Sequence, residues 1–291
     1  MAAKLGRSHT AFWKAQEGPC AGTHLTALPT LLETKYKPAQ LRTLLLRRLR
    51  LPLQLAPRTC KCGLPLDCFG DHRAACAGVG VLQTRAVPLE GMWRRVCREA
   101  GGRVLKTGLL RDTNLGGVLP TDNRRLECVA DELPLASGVQ VAVDCTVVSP
   151  LQHNGDSRPR AHYEAGAALA DARKRKQSRY PELCRPGARC KLVVAAMEVG
   201  GRWSTEAHDF LTELASGRAQ DAPRVLQGSA YHHWKRRWAA MLSVTAMKAF
   251  ANTLLHDTAY ETEAGSEAAP TLDQLLGDEL HLKAPEASRM R

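Results

Sequence analysis

The sequence predicts a mixed α/β domain in which helices pack on a central sheet, with a small cysteine-rich segment ahead of it. Two apolar runs, Val139 to Val148 (VQVAVDCTVV) and Lys191 to Val199 (KLVVAAMEV), read as buried strands. Stretches with helical spacing lie before, between and after them. At 291 residues and 44% hydrophobic content, the chain can bury one substantial core with smaller appendages.

The elements follow in order. Residues 34 to 58 hold seven Lys or Arg and no acid, with leucines at helical spacing, and read as a basic amphipathic helix running into a Pro-bounded linker. Its basic face suits either phosphate or partner contact, or plain solvation. Pro88 marks a helix start, with Leu89, Met92, Trp93, Val96 and Ala100 on one face and Gly101-Gly102 as the stop. Short strands are expected at Arg103 to Thr107, Arg124 to Val129 and Val139 to Val148. A long helix from His162 to Tyr180, the strand Lys191 to Val199, and helices near 204 to 216 and 230 to 255 complete the domain. Trp234 and Trp238, four apart in the last helix, read as core before they read as stacking partners for bases. The division expected is a basic helical leader and linker at 1–58, a knuckle at 59–80, the main domain at 86–255, and an acidic, loosely ordered tail at 256–291.

Charge narrows the partners. The formal charge is +12, but residues 1 to 255 carry 38 basic and 21 acidic side chains while 256 to 291 carry 3 and 8, giving about +17 and −5. A body this basic suits a polyanion, because neutralising phosphates releases counterions. Neither a secretory signal nor an apolar run of membrane-spanning length is present, so no membrane partner is expected. Ten cysteines without a signal point to thiols or metal ligands in the nucleus or cytoplasm.

Cys60, Cys62, His72 and Cys76 offer three thiolates and an imidazole within a short loop that Gly63, Pro65, Gly70 and Asp71 can reverse. That is a complete tetrahedral set for a structural zinc. The C-x-C spacing is tight, so Cys68 stands as a substitute ligand. Asp144 sits inside an apolar strand, sharing a face with Ala142, Thr146 and Val148, where an ionised carboxylate needs a cation or a lysine. Asp122, in Pro-Thr-Asp, could join it in holding Mg²⁺ for phosphodiester hydrolysis. Lys176, with Tyr180 one turn beyond it, is the lysine chosen for such a site.

These segments, CKCGLPLDCFGDHRAAC, the PTD segment, VAVDCTVVSP and ALADARKRKQSRYPEL, resemble the C-terminal region of early-branching, site-specific non-LTR retrotransposon reverse transcriptase proteins. The resemblance spans roughly residues 41 to 255. It implies a CCHC zinc knuckle preceding a restriction-endonuclease-like domain of the PD-(D/E)xK type, a central mixed sheet flanked by helices. It further implies Mg- or Mn-dependent nicking of target DNA, with element RNA and a reverse transcriptase as further partners. By position, Asp122 and Asp144 take the two metal-binding carboxylates, Lys176 the lysine shifted onto the following helix, and Tyr180 the aromatic residue after it. Glu90 takes an additional acid, with Glu127, Asp131 and Glu198 as fallback carboxylates. Thr146 stands where the plain pattern has lysine, and no polymerase segment is present, so the chain reads as a fragment or detached module. The alternatives are a catalytically silent nucleic-acid-binding module, or a structural zinc protein whose basic helices bind a protein.

Overall fold

The computed structural model describes residues 6–53, 59–60, 62–78, 80–135 and 138–255. Helices α1 (Arg7–Lys14), α2 (Thr23–Thr26), α3 (Pro38–Arg48) and α4 (Asp71–Ala75) precede the long α5 (Val81–Glu99). Strands β1 (Arg103–Val104), β2 (Cys128–Asp131) and β3 (Gln140–Val148) follow, then α6 (Ala167–Arg179), β4 (Cys190–Glu198), α7 (Thr205–Ala219) and α8 (Gln227–Leu255). The acidic stretch 256–291 lies outside the described residues. Among the described residues, no helix is long and apolar enough to cross a membrane.

The sheet order is β1-β2-β3-β4, with β1, β2 and β3 antiparallel and β4 parallel to β3. The parallel step demands a crossover, and α6 supplies it. Alternation along β3 then sorts the faces. Val141, Val143, Cys145 and Val147 join Leu89, Trp93 and Val96 of α5 and Trp238, Leu242 and Phe250 of α8 in the main core. Ala142 falls in a second cluster with Tyr180 on the opposite side, the side covered by α6. The central strands are buried on both faces, which is why they read as continuous apolar runs.

Several boundaries differ from the sequence reading: β1 stops at Val104 rather than Thr107, and β2 runs Cys128–Asp131 rather than Arg124 to Val129. Helix α5 begins at Val81, so Pro88 lies inside it rather than at its start. An internal proline removes one helical hydrogen bond at a cost of about 3 kcal/mol. The first turns are held from outside, because the fully buried Arg85 donates to the carbonyls of Ala74 (2.9 Å) and Arg73 (3.0 Å). Helix α6 starts at Ala167, since Gly166 has φ +81° and the preceding residues form turns. The basic helix narrows to α3, and its Arg47 is buried against Asp71 at 3.0 Å while Leu41 and Leu45 are exposed. Arg47 therefore serves neither solvation nor phosphate. The remainder of that stretch, 54–58, lies outside the described residues.

Candidate active site and metal centre

The ligating atoms of Cys60, Cys62, His72 and Cys76 all lie within 4.8 Å of one another. Cys60 Sγ and Cys76 Sγ are 4.0 Å apart, and Cys62 Sγ is 3.2 Å from His72 Nε2. A tetrahedral zinc with bonds of about 2.3 Å to sulfur and 2.0 Å to nitrogen requires separations near 3.5 to 3.8 Å. The cluster could hold a metal ion such as zinc. Local structure explains the convergence: a turn closed by Gly63 N donating to Cys60 O presents the first pair. The Asp67 carboxylate accepts from the amides of Phe69, Asp71 and His72, orienting the turn of α4 that carries the imidazole. Gly70 precedes that turn at φ +73°, where a side chain would be strained.

His72 Nδ1 lies 2.9 Å from the carbonyl of His153. A carbonyl can only accept, so Nδ1 carries the proton and Nε2 presents its lone pair to the thiols. Burial pushes the Cys76 thiol up to about 11, whereas the backbone amide of Leu64 draws Cys62 below the ordinary thiol range. Metal binding must therefore expel protons from the buried side of the cluster. Cys68 is exposed and is not a member of the group. Four protein ligands on one ion would leave no open position, the pattern of a structural site.

The second constellation lies where the start of β2 faces the middle of β3. Continuing the register Cys128↔Val143 by one position puts Glu127 opposite Asp144. Like charges directly opposite repel. Lys176, from α6, relieves this: its Nζ is 2.6 Å from Asp144 Oδ1 and 3.7 Å from Glu127 Oε1. Asp144 is 2% exposed, and its Oδ2 is buried with no hydrogen-bond partner among the described residues. Glu127 Oε2 accepts from both the amide and the thiol of Cys145, each at 2.6 Å. Burial, and then the neighbouring Asp144, raise the Glu127 carboxyl to about 7. Burial alone would depress the Lys176 ammonium, but Asp144 and Glu127 outweigh it and hold its pKa above the ordinary value. Tyr180, buried one turn beyond Lys176, donates its hydroxyl to the Arg125 carbonyl, and burial followed by the field of Asp144 raises its pKa.

The structure thus brings together Asp144, Lys176 and the fallback carboxylate Glu127, with Tyr180 one turn beyond Lys176. Asp122 forms no ion pair or hydrogen bond with them among the described residues. Arg124 grips its carboxylate at 2.7 Å, holds it below the usual carboxylate range and also binds Glu182 at 2.6 Å. Glu90 stands one link away, bound to Arg94 at 2.8 Å, and Arg94 in turn donates to the Glu127 carbonyl at 2.7 Å. Asp131 sits at the far end of β2, held by Gln140 at 2.8 Å. Glu198 lies four positions beyond the residue paired with Asp144, and burial raises its carboxyl to about 7. Trp238 is core, donating to Glu99 at 2.8 Å, and Trp234 is half-buried against it.

The chain matches no protein-family model, no curated protein and no solved structure.

Proposed function

We propose that this chain is a metal-dependent endonuclease that hydrolyses a phosphodiester bond of DNA, in the manner of the restriction-like nucleases of non-LTR retrotransposons. The observation that carries the reading is the pair of opposed carboxylates, Glu127 and Asp144, with a lysine between them and a buried, unpartnered Asp144 Oδ2. An orphaned buried carboxylate oxygen is costly without a cation. The order helix, three strands, helix, strand, with one carboxylate just before β2 and the other in the middle of its neighbour β3, is in keeping with the resemblance. In this reading Glu127 takes the role first given to Asp122.

Asp144 and Glu127 would hold Mg²⁺ or Mn²⁺, which supplies activation of a water and neutralises charge on the scissile phosphate. The chain's own groups prepare that step. The Cys145 amide and thiol fix Glu127 Oε2, leaving Oε1 toward Asp144 and Lys176. Glu127, which loses its proton near neutrality, could then serve as a ligand beside Asp144. Lys176, between the two carboxylates, would offer its ammonium to the phosphate. Tyr180, its hydroxyl committed to Arg125, braces the helix rather than reacting. The closed cysteine and histidine centre, taken as zinc, contributes shape and nucleic-acid contact. Element RNA, a reverse transcriptase and a nuclear site of action belong to the same proposal.

The test is nicking of supercoiled plasmid with Mg²⁺ or Mn²⁺. Wild-type protein should nick, and Asp144→Asn and Glu127→Gln should each lose on the order of 100-fold or more. A second reading draws on the same ion pair: Lys176 at 2.6 Å already neutralises Asp144, as in a binding module without catalysis. That module would bind DNA with a steep salt dependence and cut under no metal condition.

A further inference from the structure

Residues 23–34 cross the N-terminal half of α8 and leave a groove of about 320 Å³ between them. Its floor and walls are apolar at Leu31 and Met241, and His233, Arg236 and Arg237 line it with positive charge. Leu28 lines it while 64% exposed, and Leu32, next in the chain to the lining Leu31, is 82% exposed. Arg237 is engaged by Glu99 at 3.1 Å, whereas Arg236 is exposed and forms no ion pair among the described residues. Further along α8, Lys248 Nζ donates to the carbonyls of Leu32 and Glu33, carrying positive charge along the same side toward the helix end.

An occupant must cover leucines and answer cations together. A sugar-phosphate backbone does only the second. The chain itself contains a segment that does both. Between residues 257 and 282 there are seven Asp or Glu and no Lys or Arg, and Leu272, Leu275, Leu276 and Leu280 recur at the spacing of one helical face. The segment is tethered at Leu255, the end of α8, and Met241 lies about 21 Å back along that helix at 1.5 Å per residue. The sixteen residues from 256 to 271 can span up to about 50 Å when extended. Reach is therefore ample.

We propose that the groove between residues 23–34 and α8 is the docking site of this chain's own acidic, leucine-bearing segment 257–282. The leucines fill the apolar floor, and the carboxylates face Arg236 and His233. Docked there, the segment covers part of the basic surface of α8 and competes with a polyanion for it. This assignment stands apart from the nuclease reading, since it concerns neither Asp144 nor the metal centre.

Hydrogen–deuterium exchange on the full chain tests it, with a synthetic peptide of residues 256–291 as the unprotected reference. A tethered segment has an effective concentration on the order of 1 mM, so a Kd of about 0.1 mM gives roughly tenfold slower exchange over 272–282. Leu28→Asp combined with Arg236→Glu should return those amides to the peptide rate, while exchange within α5 and α8 stays unchanged. Both positions are exposed, and Arg236→Glu alone serves if the double variant does not fold. Peptide-like exchange in the wild type would overturn the proposal, as would protection that survives the substitutions. Protection that disappears on dilution would overturn it in favour of a second copy's segment.

Discussion

Replacing Lys176 by methionine isolates the electrostatics of the candidate site. Asp144 is 2% exposed and has one cationic partner at 2.6 Å, with Lys176 itself 23% exposed. Removing one partner of a buried pair costs about 3 to 5 kcal/mol, and the partial exposure of Lys176 puts the expected loss near the lower figure. Glu127, already protonating near pH 7, takes up its proton fully and leaves Asp144 as the uncompensated charge. Urea unfolding at pH 7.5 should therefore show a loss of about 3 kcal/mol, and adding Asp144→Asn should recover most of it. Divalent metal sharpens the test. If Asp144 and Glu127 hold Mg²⁺, metal at about 100 times its Kd restores roughly 2.7 kcal/mol to Lys176→Met, and nothing to the double variant. A loss below about 1 kcal/mol, or a double variant no more stable than the single, would refute the reasoning.

Glu198 has its carboxyl raised to about 7, so its protonated form is favoured in the fold. The stability this confers is present below the ordinary carboxylate pKa near 4.5 and is lost as pH rises through 7, at about 3 kcal/mol in full. Glu198→Gln should match the wild type at pH 4.5 and exceed it by up to that amount at pH 8, read from unfolding curves across the range. Asp122→Asn, which only releases Arg124 to Glu182, should keep plasmid nicking within about threefold, under 1 kcal/mol of barrier. Metal analysis of purified protein should find one zinc per chain, retained in Cys68→Ser and lost in Cys76→Ser and His72→Ala. Finally, Gly217→Ala should destabilise the fold by about 1 to 3 kcal/mol in urea, because the added Cβ would meet Pro134 O at 2.1 Å.

Much of the architecture was written in local pattern. β3 and β4 announced themselves as apolar runs because both faces are covered, and the stripe from Leu89 to Ala100 marked the buried face of α5. The cysteine and histidine cluster was legible because its four side chains lie in one short stretch, where spacing alone constrains geometry. Asp144 stood out as a charge in an apolar strand, and Lys176 as a cation able to reach it. Glu127 could not be selected in the same way. Glu-Cys-Val-Ala reads as an ordinary strand entry, and only the antiparallel register opposes that carboxylate to Asp144. The start of α5 was equally hidden, because the proline rule is local whereas Arg85 anchors those turns to carbonyls of another segment. The buried Arg47 defied the rule that charge faces water for a like reason: its partner, Asp71, lies well along the chain.

The bonds made by Arg73 and Arg85 bear on modularity. Arg85 in α5 holds the carbonyls of residues 73 and 74, and Arg73 reaches the carbonyl of Thr253 near the far end of the chain's last described helix. The C-terminal end of the cysteine-rich segment is thus fastened both to α5 and to the end of α8 by guanidinium groups, whose fork lysine cannot reproduce. Parting the chain between residues 80 and 81 would strand three carbonyls and take two guanidinium groups from them, at the expense of both pieces' stability. Transplanting this segment into another protein would have to carry α5 and the end of α8 along with it.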